Sequence, residues 1–309
     1  MKQSRGNGFF VFCIIGAAAL WGTMGIFVRG LSSYGFSPLQ IACLRIMAAG
    51  ILFFAYLCVG GKEKLRIRKK DLPLFLAMGW GSILFFTICY FTTIQRTSLA
   101  VAAILLYTSP IFVMLLSAVF LKEKITGQKL VALLLAFAGC VLMAGVGEAG
   151  SLTGIGFLIG LCSGLGYGLY SIFGSILLKK YHPYTVSAYA FIFAGIGALF
   201  LCDGKDVGEK IMAAKHPAFL FFLFFLTAAV TAVAPFLLYT VGLLKVEASK
   251  AAIMAMVEPL VAAVIGIFVF DETLSFSSAM GIACVFLAVF LLNSKAKKKE
   301  AGCEKRDHI

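Results

Sequence analysis

Ten apolar runs follow one another along this chain, and they decide what it can fold into. Charges, glycines and prolines bound them at 9–28, 37–60, 72–94, 97–121, 128–146, 153–178, 184–202, 218–242, 248–270 and 276–293. A helix needs about 20 apolar residues to cross a hydrocarbon core. In lipid every backbone polar group must be satisfied within its own segment, so such runs become helices. The predicted fold is an all-α polytopic membrane protein with ten transmembrane helices. Composition agrees: 61% of the 309 residues are hydrophobic and 13% are Asp, Glu, Lys or Arg, where soluble domains carry about a quarter charged residues. Lys2 and Arg5 before the first run resemble the start of a signal peptide. The run from Phe9 to Val28 is nevertheless long enough to span, and no small-residue cleavage site closes it, so it is kept as the first membrane helix. The longest links, 61–71 and 203–217, leave no room for a soluble domain.

The net charge of +13 would point to nucleic acid in a soluble protein. Here the basic residues sit between the apolar runs and in the tails, where they report topology. Lys and Arg number 21 in the segments on the N-terminal side and 5 in those on the other, with Arg45 inside the second run. This asymmetry predicts that both termini are cytoplasmic, and it makes "KAKKK" in the tail a positive-inside anchor that contacts anionic lipid. Nine cysteines without CxxC or other ligand spacing read as small buried hydrophobes. His182, His216 and His308 are far apart in loops or the tail. No metal and no cofactor is implied, and nucleic acid is not an expected partner.

The sequence repeats itself. A shift of 149 residues lays "YFTTIQRTSLAVAAILLYTSPIFVMLLSAVFLKEKIT" (90–126) on "YTVGLLKVEASKAAIMAMVEPLVAAVIGIFVFDETLS" (239–275), matching Tyr90 with Tyr239, Pro110 with Pro259 and Glu123 with Glu272. A shift of 146 lays "WGTMGIF" (21–27) on "YGLYSIF" (167–173). The halves are 1–146 and 153–293, with a linker at 147–152 and a basic cytoplasmic tail at 294–309. Five helices per half is odd, so the second half must enter the membrane in the opposite sense. Inverted repeats of this kind flank a midplane substrate site and alternate its exposure by rocking. A membrane enzyme would show a nucleophile, metal or paired-acid constellation inside the spans, and none is seen in the sequence.

These residues resemble the EamA family of the drug/metabolite transporter superfamily. In the first half the resemblance is carried by "LWG" (20–22), Pro38, Arg45 in "LRIMAAG", "LLYTSPIF" (105–112), "LKEKIT" (121–126) and "LLLAFAGCVLM" (133–143). In the second it is carried by "VEPLVAAVIG" (257–266), "DETLS" (271–275) and "GIACVFLAVFLL" (281–292). The second half departs from the pattern where Tyr167 or Tyr170 stands near the usual tryptophan, and no arginine matches Arg45. The resemblance implies ATP-independent export or uptake of small metabolites such as amino acids, sugars or nucleotide-derived compounds. It also implies a cavity lined by spans 1, 3, 4, 6, 8 and 9.

Individual residues sharpen this expectation. Glu258 lies about 15 Å along span 9, near the midplane, by the helical rise per residue. A carboxylate there faces a partner, water or substrate, or is protonated. The functional reading is proton coupling or contact with a substrate amine; the structural one is a cap on backbone groups freed by Pro259. Its repeat counterpart is Ser109. Arg45 lies about 12 Å into span 2 and needs an anion or carbonyl, either to fix helix packing or to clamp a substrate carboxylate. Pro110 and Pro259 are expected to border the central cavity as helix breaks that bend during rocking. Trp21, Tyr90, Tyr107, Tyr167, Tyr170 and Tyr239 are candidate cavity-lining aromatics, with packing as the competing reading. Gly156, Gly160, Gly164 and Gly168 form a small-residue stripe, read as internal packing before dimerisation. Glu123 and Glu272 are read as interfacial pairs or caps, with a gating contact as the alternative.

The leading expectation is a secondary carrier, chiefly an exporter, in the bacterial plasma membrane. Its partners are a small-molecule metabolite, the lipid bilayer and the proton as candidate coupling ion, in a monomer or weak dimer. The competing readings are an uncoupled facilitator or exchanger and, in a different class, a membrane enzyme or lipid-binding sensor.

Overall fold

The structure, a computed structural model, describes residues 4–60, 66–144, 154–273 and 275–304. Nine helices among them are long and apolar enough to cross a membrane. They are α1 (Gly8–Ser32), α2 (Pro38–Val59), α3 (Lys69–Arg96), α4 (Leu99–Leu121), α5 (Gly127–Ala144), α6 (Gly154–Leu177), α8 (Pro217–Gly242), α9 (Ala248–Phe270) and α10 (Phe276–Asn293). The remaining apolar helix, α7 (Pro183–Ala198), is shorter. No strand occurs among the described residues. The linker expected at 147–152 lies outside them. So do residues 305–309 of the tail, and α10 continues as helical backbone to Glu304.

Two expectations about the seventh span are corrected. It ends at Ala198 rather than at 202, because the chain turns at 199–202 and Asp203 then caps a new helix by accepting from the N–H groups of Lys205 and Asp206. An Asp in that position satisfies donors that a helix start leaves free. The segment 203–217 is therefore not a plain link but carries the connecting helix Gly204–Ala213. Its apolar side, Val207, joins a small cluster with Leu31, Phe36, Ile41 and Leu220. Asp206 accepts from Gln40 Nε2 and pairs with Lys210, which pins the connecting helix to the start of α2.

The packing follows the repeat. Broad interfaces join α5 with α10, α2 with α7, α1 with α8 and α3 with α6. Exchanging the two halves maps the first two onto themselves and the last two onto each other. The backbone shows the same duplication. Six-residue and five-residue π-helical segments, Gly79–Leu84 in α3 and Ala229–Val233 in α8, coincide under the shift of 149. The breaks in α4 and α9 coincide as well: α-helix stops at Leu106 and at Ala255 and resumes at Ser109 and at Glu258. Leu106 and Ala255 are the residues whose carbonyls would bond the N–H groups that Pro110 and Pro259 lack. At the far ends Lys122 and Asp271 are the non-glycine residues with left-handed backbone, at φ 58° and 53°. The C-terminal half of α4 packs on the N-terminal half of α9, so these equivalent helices run antiparallel, as an inverted repeat requires.

Lysines and arginines distinguish the two ends of the bundle. At one, here the basic end, Glu123, Lys179, Lys245 and Glu247 border a common open cavity. At the other Arg29 meets Glu272. Large apolar side chains such as Phe12, Phe120, Phe268 and Phe290 point outward from the bundle, as expected of a surface solvated by lipid tails.

Candidate functional site

The midplane breaks place Glu258 at the first position of the second half-helix of α9. A helix start favours negative charge through its free N–H groups. Glu258 does not cap the break, contrary to the structural reading of it: the turn is closed by Met256 N–H to the Ile253 carbonyl and Val257 N–H to the Met254 carbonyl. Its carboxylate instead accepts a long hydrogen bond of 3.4 Å from the Tyr167 hydroxyl on α6.

Arg45, Tyr90, Tyr107 and Tyr167 are all within electrostatic reach of Glu258. These groups cluster together and keep part of their surface accessible. Arg45 donates from Nη1 to the Thr231 carbonyl at 3.1 Å and lies 3.8 Å from the Met24 sulfur. Thr231 belongs to the π-helical segment of α8. Such segments loosen the regular backbone ladder and are frequent at functional sites. Arg45 Nε is buried and has no partner among the described residues. One edge of the guanidinium thus fixes α2 to α8, while another donor is left unsatisfied in the site.

Below Glu258, toward the basic end, aromatic rings close the path. Trp21 packs edge-on against Phe236 at 5.1 Å and Tyr167 at 6.1 Å, and lies 5.5 Å from Tyr239. Tyr239 bonds Ser171 at 2.8 Å and Tyr170 bonds Thr240 at 2.9 Å, so both hydroxyls are satisfied in packing. Between these rings and Ser109 remains a cavity of 20 Å³, room for about one water molecule. Tyr90 and Tyr239, equivalent in the repeat, are not in ring contact. Tyr90 packs within α3 on Phe86, tilted, and on Phe91, edge-on, and Phe86 contacts Tyr167 at 5.3 Å.

The sequence-selected residues therefore separate into two sets. Glu258, Arg45, Tyr90, Tyr107 and Tyr167 form one polar cluster, whereas Trp21, Tyr170, Tyr239 and Ser109 line the small cavity beside it, which Tyr167 also borders. Pro110 is buried and Pro259 half-buried beside Glu258. The glycine stripe packs within the molecule: a Cβ at Gly164 would lie 2.8 Å from the Leu105 carbonyl, and one at Gly168 2.9 Å from Val113. Sequence reasoning missed Phe236, Thr231 and Gly22, where a Cβ would meet the Glu258 carbonyl at 2.8 Å. Gly22 stands in the quoted "LWG", but nothing in its spacing names the partner helix.

Comparison with known proteins agrees with this architecture. The sequence profile of the EamA-like transporter family matches residues 8–145 and again 154–294. An uncharacterized transporter of Archaeoglobus fulgidus is 32% identical over 281 residues, covering 90% of this chain and 94% of its own. The uncharacterized transporter YwfM of Bacillus subtilis is 27% identical over 300 residues, 96% of this chain and 98% of its own. One crystal structure matches with a TM-score of 0.77 at 16% identity, over 94% of this chain and 98% of its own, which is a likeness of fold. Broken apolar helices around a cluster of polar side chains, in a chain similar throughout to transporters, define a multi-pass membrane transporter. The chain belongs to the EamA-like transporter family.

Proposed function

We propose that this transporter is a secondary carrier of a small metabolite bearing both an amine and a carboxylate, such as an amino acid. The carrying observation is that Glu258, unengaged by backbone, and an incompletely satisfied Arg45 lie within electrostatic reach of each other in one cluster with Tyr90, Tyr107 and Tyr167. A carboxylate recognises an ammonium or holds a proton, and a guanidinium edge recognises a carboxylate. Trp21 and Tyr167 supply ring faces for the organic body of the substrate. The fold proposed for transport is ten spans in two inverted halves, 1–146 and 153–293, with both termini in the cytoplasm of a bacterial plasma membrane. Alternating access follows from inverted repeats around a fixed midplane site, with α4 and α9 bending at Pro110 and Pro259. Export is the proposed direction, and Glu258 is the proposed proton-coupling group.

The test is flux into and out of proteoliposomes holding the purified protein and a trapped pH dye, screened with amino acids. Substrate-dependent proton movement in the wild type that disappears in Glu258→Gln is the expected result. Substrate movement without protons in both proteins would remove Glu258 from coupling, and no flux for any compound would overturn the carrier assignment.

A further inference from the structure

The two ends of the bundle carry the same glutamate device in two different states. After the left-handed residue that ends α4, the Glu123 N–H bonds back to the Ser117 carbonyl at 3.1 Å; after its counterpart in α9, the Glu272 N–H bonds back to the Gly266 carbonyl at 3.0 Å. Each of these four positions maps on its mate by the shift of 149. The side chains then diverge. Glu123 crosses to the start of α9, where it accepts from the N–H groups of Ala248 at 2.6 Å and Ser249 at 3.2 Å, and from the Ser249 hydroxyl. It thereby bolts the end of α4 to the beginning of α9 and closes the basic end.

The repeat mates of Ala248 and Ser249 are Leu99 and Ala100, the first residues of α4 at the opposite end. Their N–H groups donate to no described residue. Glu272, the mate of Glu123, instead pairs with Arg29 and is half exposed. Arg29 in turn stacks 3.6 Å above the ring of Phe270. Packing has the same polarity: the C-terminal half of α4 lies on the N-terminal half of α9, whereas the other halves of these two helices form no comparable interface.

We propose that Glu123 and Glu272 are alternating bolts. When the basic end opens, Glu123 releases α9, and Glu272 leaves Arg29 to accept from the Leu99 and Ala100 N–H groups, closing the opposite end. This rests on the alternating-access reading above, and gives it two named residues with two named sets of donors. A helix start offers free N–H groups to a carboxylate at either end, so the two closed forms share these backbone bonds, while the Ser249 hydroxyl and Lys129 add to the Glu123 contact alone, their repeat mates being Ala100 and Ser278. Both forms are thereby open to a carrier that visits two states, with the basic end held more firmly. Arg29 breaks the symmetry, because its repeat mate is Ser175, and it holds Glu272 away from α4 in the state observed.

Hydrogen–deuterium exchange of the full chain in lipid nanodiscs reads both bolts without any substrate. In Glu123→Gln, exchange at Ala248 and Ser249 should accelerate by about tenfold, and exchange at Leu99 and Ala100 should slow by a similar factor. In the Glu123→Gln, Glu272→Gln double variant the second protection should vanish. Faster exchange at 248–249 with no change at 99–100 would reduce Glu123 to a local cap and overturn the proposal. Should Glu123→Gln not fold, Glu272→Gln, altered at an exposed side chain, should slow exchange at 248–249 by withdrawing the competing state; no change there would equally overturn it. Flux and exchange fail separately. Reciprocal protection without flux of any compound would strike the carrier assignment, whereas flux without reciprocity would strike the bolts alone.

Discussion

At the scale of single residues, position relative to a helix break matters more than depth alone. Glu258 was legible in the sequence because a charge inside an apolar run stands out, and its midplane position follows from counting residues. What it touches was not legible, since Tyr167 lies 91 positions away on another helix. Arg45 illustrates the same limit: the sequence shows a charge that needs a partner, but the Thr231 carbonyl is offered by the π-helical segment of α8. Arg45→Lys keeps one donor for that carbonyl and loses the planar second edge. It should leave the detergent-solubilised protein monodisperse and weaken uptake of a carboxylate-bearing substrate by about tenfold, one bidentate contact's worth; unchanged KM would remove Arg45 from recognition. Lys129 was hidden in a charged link. It is buried between Glu123 at 3.5 Å and Glu247 at 3.0 Å and donates to the Lys124 carbonyl at 3.0 Å. Breaking a buried pair costs about 3–5 kcal/mol. Because Glu247 is 44% exposed, the lower end applies, and Lys129→Met should lower stability by about 3 kcal/mol in reversible unfolding from micelles. Burial opposes ionisation of Glu247, but hydrogen bonds from Lys129 and Lys250 outweigh it and hold its carboxyl below the ordinary 4.5. A lowered value means that this contribution is complete above pH 4.5 and lost as pH falls through the lowered value. The unfolding midpoint of the wild type should therefore drop more steeply below pH 4.5 than that of Glu247→Gln.

At the scale of elements, prolines and glycines made much of the bundle readable. The paired prolines announced the breaks in α4 and α9, and the structure places the helix ends at the carbonyls those prolines leave without a donor. The π-helical segments of α3 and α8 carry no such mark: "GWGSIL" and "AVTAV" share no pattern, and only their equivalence in the fold shows that they are the same feature. The end of the short α7 is not legible because Leu199, Phe200 and Leu201 continue the apolar run while the backbone turns before the cap supplied by Asp203. The glycine stripe of α6 gave its role correctly, and the contact surface is α4. Gly164 lets the Leu105 carbonyl approach, and that group is backbone, so it cannot turn aside. Gly164→Ala should push α4 from α6 at a cost of about 1–3 kcal/mol, seen as a lower unfolding midpoint. A midpoint equal to the wild type would show that the helices separate freely at this level.

At the scale of the whole molecule, inversion of the repeat ties topology to mechanism. With equivalent helices antiparallel, each position at one end has a mate at the other, so where the mated residues are alike, as Glu123 and Glu272 are, a difference between the ends describes the state of the protein and not only its sequence. The basic end is closed by aromatic rings beneath Glu258 and by the Glu123 contact, whereas at the opposite end Leu99 and Ala100 stand free and Arg29 is 56% exposed. In the proposed orientation, with the lysine- and arginine-rich end inside, the closed end faces the cytoplasm. The helix α7 is the weak point of that assignment, because its 16 residues rise about 24 Å against a core of about 30 Å. A helix this short is accommodated by local thinning or by its neighbours, and Trp80 on α3 supports it by donating to the Phe193 carbonyl at 2.7 Å. If α7 spans, the links before and after it lie on opposite sides. Alkaline phosphatase joined after Asn293 should then be inactive and a fluorescent protein at the same point bright, while phosphatase inserted after Lys215 should be active. Phosphatase activity at both points would place an even number of crossings between Lys215 and Asn293, where α8, α9 and α10 require three, and the inverted repeat would lose one helix of its second half. The opposite pair of activities would follow either from an α7 that does not cross or from a reversed molecule, and phosphatase inserted after Lys180 separates them: inactivity there means that α7 does not cross, whereas activity keeps the ten spans, reverses the molecule and makes the state observed here closed to the outside.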